Sequence, residues 1–83
     1  MKIVITESQL HFIRRYQELK DWVRSDYNYL LDQGFLPYEA KDMVIDHSAM
    51  TYLDDPDTNI EMTKENFDQL QRFIENNFED LIS

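Results

Sequence analysis

Cysteine is absent from the chain, and with it go disulfide staples, thiolate zinc sites and cysteine nucleophiles. That absence fits a reducing compartment, so the expected location is the cytoplasm. Glycine occurs once, at Gly34. A glycine-rich loop that cradles phosphates is therefore excluded, and no nucleotide or other cofactor is expected. No hydrophobic run approaches the length of a leader or a membrane span, since Ile3-Val4-Ile5 gives way at once to Thr6-Glu7. Basic residues are scarce: eight Lys and Arg stand against seventeen Asp and Glu, for a formal net charge of -9.

That charge is unevenly placed. Up to Arg24, the cations Lys2, Arg14, Arg15, Lys20 and Arg24 outnumber Glu7, Glu18 and Asp21; beyond it only Lys41, Lys64 and Arg72 oppose all the other carboxylates. An acidic body repels nucleic-acid phosphates and anionic membranes and attracts basic protein surfaces. The expected partner is a protein with a basic surface, with a homodimer as the alternative; nucleic acid and membrane are not expected partners.

With 83 residues, 42% hydrophobic and 13% aromatic, the chain has material for a single acidic domain over residues 1–83. A domain of this size buries only about 60% of the surface its unfolded chain exposes, so its stability is modest.

Thr6 and Gln9 have the spacing of a capping box, and from about residue 7 the residues Phe12, Ile13, Tyr16, Leu19, Val23, Tyr27, Leu30 and Leu31 share one face at 100° per residue. They predict one long helix, ended by Gly34. Pro37 suits the first position of a second helix, on which Ala40, Met43, Val44, His47 and Met50 form a stripe, with Ile45 and Tyr52 as a side row. After the turn chemistry of Asp54–Asn59, Thr63 caps a third helix carrying Phe67, Leu70, Phe73, Ile74, Phe78 and Leu81. Short apolar pieces precede two of these caps, Ile3–Ile5 and Ile60–Met62. The predicted fold is α+β and mostly helical, in the order β-α-α-β-α, with a minimal two-stranded sheet from residues 2–5 and 59–62.

Residues able to carry chemistry do not assemble into a mechanism, and the chain is read as no enzyme. Asp46-His47-Ser48 holds the residue types of a hydrolase triad, yet consecutive helical positions point about 100° apart and cannot bond in series. His47 is read instead as a core or boundary histidine, and His11 has no second histidine at metal-ligand spacing. Asp55, Asp57, Asn59 and Glu61 follow the start of an EF-hand loop. Ile60 replaces its turn glycine and Asn66 its closing glutamate, so no metal is expected and these four remain a weak cation candidate. The abundant carboxylate pairs describe solvated helical faces.

Trp22 and Tyr29, seven residues apart and flanked by Arg15 and Glu18, form an aromatic stripe of the kind found at interface hot spots. Either it packs on the second helix, or it meets a partner. The candidate partner-binding set is therefore Trp22, Tyr29 and Arg15 for burial, with Asp68, Glu75 and Glu79 for electrostatic steering.

Two resemblances add to this reading. Gly34-Phe35, followed by Ala40 and Met43-Val44 and preceded by Leu30-Leu31, is similar to the first loop and second helix of ubiquitin-associated domains, with Gln33 where that family carries methionine. The likeness implies ubiquitin binding. The opening Met1–Gln9 resembles the starts of small phage and environmental-virus reading frames, which implies a virus-type accessory or inhibitory factor.

Overall fold

A computed structural model describes residues 7–83. The chain begins there with a 3-10 segment, Glu7–Arg15, that passes directly into α1, Tyr16–Asp32. Gly34 ends this arm at φ +96°, in the left-handed region that only glycine enters freely, and the Gly34 amide reaches back to the Leu31 carbonyl at 3.1 Å. Pro37 opens α2, Pro37–Asp54, where Glu39 accepts from the Leu36 amide at 3.1 Å. Pro56 stops α2 by forcing Asp55 into extended backbone (ψ 123°), and the Thr58 hydroxyl donates to the Tyr52 carbonyl that the helix leaves free.

Thr63 caps α3, Lys64–Asn76, by accepting from the Asn66 amide at 3.1 Å. The buried Asn77 then breaks the helix, donating its side-chain amide to the Phe73 carbonyl, before α4, Phe78–Ile82. α2 packs between α1 and α3, while α4 folds back onto α1. The core joins Phe12, Leu19 and Val23 to Val44, Ala49 and Tyr52, and closes on Leu70, Phe73, Ile74 and Leu81. Phe73 sits at its centre, its ring 5.8 Å from Phe12 and 5.9 Å from Tyr16.

Three expectations are corrected. Among the described residues the fold is all-helical, with no strand or sheet. Residues 59–62 are irregular: Asn59 takes the left-handed conformation (φ 55°), and the Glu61 carbonyl is taken by the Thr63 amide and the Asn66 side chain. A strand needs a partner for its backbone, and these contacts provide local ones instead. The other expected strand, residues 2–5, lies outside the described residues, as does Thr6 of the capping box. The first arm is also not one continuous α-helix, because its regular winding begins only at Tyr16. Finally, the buried face of α2 is Ala40, Val44, Ile45, Ser48, Ala49, Tyr52 and Leu53, whereas Met43, His47 and Met50 point outward.

Candidate functional site

The aromatic stripe of α1 is organised by Arg15, at the junction of the 3-10 segment and α1. Its guanidinium donates to Thr58 Oγ1 at 2.7 Å, lies 3.3 Å from Asp55 Oδ2 and pairs with Glu18. The same group stands over the rings of Trp22, at 5.2 Å, and Tyr52, at 5.8 Å. Trp22 meets Tyr52 edge to face, at 6.1 Å and 80°. A planar, permanently charged group can bond in its plane and stack through its faces at once. Arg15 thus fastens the acidic turn to α1, with its side chain only 14% exposed, and Trp22 is half-buried beside it. Two turns further along α1, Tyr29 is 60% exposed.

The same arginine occupies the electrostatic centre of the acidic turn. Asp55 Oδ1 accepts the Asp57 amide at 2.9 Å while Oδ2 faces Arg15. The Asp57 amide first, and Arg15 second, hold the Asp55 carboxyl below its ordinary range. Asn59 turns into the left-handed region and Glu61 is held by its carbonyl. Among the described residues no group of three or more His, Asp or Glu side chains is arranged to hold a metal ion.

Asp46, His47 and Ser48 diverge as their helical spacing requires. Asp46 accepts from Gln71 of α3 at 3.2 Å, His47 Nδ1 lies 2.8 Å from Asp26 Oδ2 of α1, and Ser48 is buried. His47 itself is open to solvent, with 68% of its side chain exposed. A groove runs between α1 and α2 along Trp22, Ser25, Asp26, His47 and Thr51.

A second groove lies on the other side of α2. Asp42 and Ile45 face Asp68, Gln71, Arg72 and Glu75 across it. Glu75 also borders the neighbouring hollow with Glu79 of α4. The residues singled out from sequence therefore fall on two surfaces: Arg15, Trp22 and Tyr29 on the α1 side of α2, and Asp68, Glu75 and Glu79 on its α3 side. The sequence placed Met43 and Met50 on the apolar stripe of α2, and neither their exposure nor the Asp26–His47 bond was foreseen. The seven-residue spacing of Leu36, Met43 and Met50 was the available signal. No family model, curated protein or solved structure matches this chain, so its function is read from geometry and charge.

Proposed function

We propose that this chain is an acidic, non-catalytic interaction module that docks on a basic surface of another protein. The observation that carries the reading is the unpaired charge around α2. Asp42, Asp68, Glu75 and Glu79 enter no ion pair among the described residues, even though Arg72 shares a groove with the first three. Carboxylates left without cations repel one another, and a basic partner relieves that repulsion while steering its own approach. The resemblance of the first residues to small viral reading frames supports a virus-type accessory role for such a module.

The test is binding to polylysine, followed by dye-labelled anisotropy across a salt series. The triple variant Asp68→Lys, Glu75→Lys, Glu79→Lys is run in parallel. Affinity should fall steeply between low and moderate salt, and fall at least tenfold in the variant. Affinity indifferent to salt would remove the reading.

A further inference from the structure

α2 carries apolar side chains on two faces, and only one is covered. Its inner face supplies the core. On the outer side Leu36, Met43 and Met50 are 52%, 44% and 52% exposed. At 100° per residue the three fall within about 40° of one another, as a straight row about 21 Å long. Single exposed apolar residues are ordinary on a protein surface, whereas apolar residues aligned in a row mark a candidate contact surface. His47, one turn from both Met43 and Met50, bonds Asp26 of α1 and lines with the half-buried Trp22 the groove between the two helices.

We propose that this row, with the Trp22–His47 groove beside it, is the docking site for an amphipathic, positively charged helix of a partner protein. The inference rests on the proposed acidic-module function and names its docking site and the form of its partner. The occupant is chosen by charge. Glu39, Asp46 and Asp54 lie within about 60° of the row's centre. Asp26 borders the row from α1. Two cations of these helices are engaged elsewhere: Arg24 bonds the Ser83 carbonyl and Asp21, and Lys41 stands over the Phe78 ring at 5.3 Å. Arg15 is committed to Thr58, Asp55 and Glu18.

An apolar row flanked by carboxylates matches a helix with an apolar stripe flanked by lysines or arginines, read at i, i+3/i+4 and i+7. Methionine suits such a site, being unbranched and able to shape itself to the ridge it meets. A second copy of this chain fits poorly, because pairing the face with itself would oppose Glu39, Asp46 and Asp54 to their own counterparts. Anionic phosphates are repelled by the same carboxylates.

The probe is a synthetic helix of roughly 18 residues, long enough to span the row, with leucine at heptad spacing and lysine on the flanks. A scrambled peptide of identical composition serves as the control. Trp22, the only tryptophan, reports from the groove edge by fluorescence. Saturable binding of the ordered peptide is expected, at least tenfold tighter than the scramble. Met43→Glu with Met50→Glu should weaken it tenfold or more without lowering the melting temperature, since both side chains are already exposed.

Equal affinity for the scramble, or for the methionine variant, overturns the proposal. If the triple variant at Asp68, Glu75 and Glu79 alone abolishes binding, the acidic-module reading stands and this groove falls. If neither peptide nor polylysine binds, both fall. A dimer in light scattering that the methionine variant dissociates would assign the face to a second copy, and saturation of the Trp22 signal by anionic vesicles would assign it to lipid; either overturns the proposal.

Discussion

Tyr16 donates its phenolic hydroxyl to Asp80 at 2.6 Å, joining the first turn of α1 to α4 across 64 residues of chain. Burial first, and the carboxylate second, push the tyrosine's ionisation well above its ordinary value. A folded-state pKa raised above the unfolded value of about 10 means that stability is fully present below that pH and is lost as pH rises beyond it. Tyr52, raised chiefly by burial, acts in the same direction. Tyr16→Phe should therefore flatten the fall in melting temperature between about pH 9.5 and 11.5. At neutral pH the variant should lose about 1–2 kcal/mol for the missing bond to a charged acceptor. An alkaline slope unchanged in Tyr16→Phe would refute the assignment.

Arg15 makes a second long-range connection, and its geometry predicts that lysine cannot replace it. Lysine keeps the charge but loses the planar fork that reaches Thr58 and Asp55 together, and the face that stacks over Trp22 and Tyr52. Arg15→Lys should cost about 1–3 kcal/mol in denaturant unfolding and move Trp22 emission to the red as water reaches the indole. A variant as stable as the parent, with unchanged emission, would show Arg15 to be a surface charge.

Helix ends and the buried faces of α1 and α3 were legible in this chain, while the face of α2 was not, for a physical reason visible in that helix. Pro37, Gly34 and Thr63 act on the backbone within one turn, so their consequences are local. Which side of α2 is buried depends on what packs there, and both its sides are apolar: the row of Met43 and Met50 competes with that of Ile45 and Tyr52. The latter won because Tyr52 fits against Phe12 and Trp22, at 6.1 Å from each ring. The winding change at Arg15 was equally hidden, since its contacts lie 40 and 43 residues away at Asp55 and Thr58. The Ile60–Met62 alternation suggested a strand, but Asn59 and Asn66 supply the local contacts seen there. Of the candidate site, Trp22 and Tyr29 were legible as a stripe. The Asp26–His47 bond, between helices, was not.

Gly34 offers a local test of the α1–α2 connection. It sits at φ +96° with nothing within 4 Å of where a Cβ would project, so a substitution meets backbone strain and no clash. Gly34→Ala should lose about 1–2 kcal/mol, and Gly34→Asn less, because asparagine tolerates the left-handed region. Chemical denaturation of both variants checks the order. Equal losses would mean that the turn relaxes to another conformation.

Asp55 governs the opposite end of the pH range. Its carboxyl is held below the ordinary range, first by the Asp57 amide and then by Arg15. An unfolded aspartate takes up its proton near pH 3.9, about the value for a free side chain. The folded one resists longer, so its stabilising contribution is present above about pH 4 and is lost as pH falls toward the folded value. Asp55→Asn retains an oxygen for the Asp57 amide but removes the charge that Arg15 faces. Thermal melts from about pH 5 down to 2 should then show a shallower decline for the variant. Parallel declines would place the acid sensitivity elsewhere. A shallower decline would instead show that the acidic turn is held by Arg15, the role an added cation would otherwise fill.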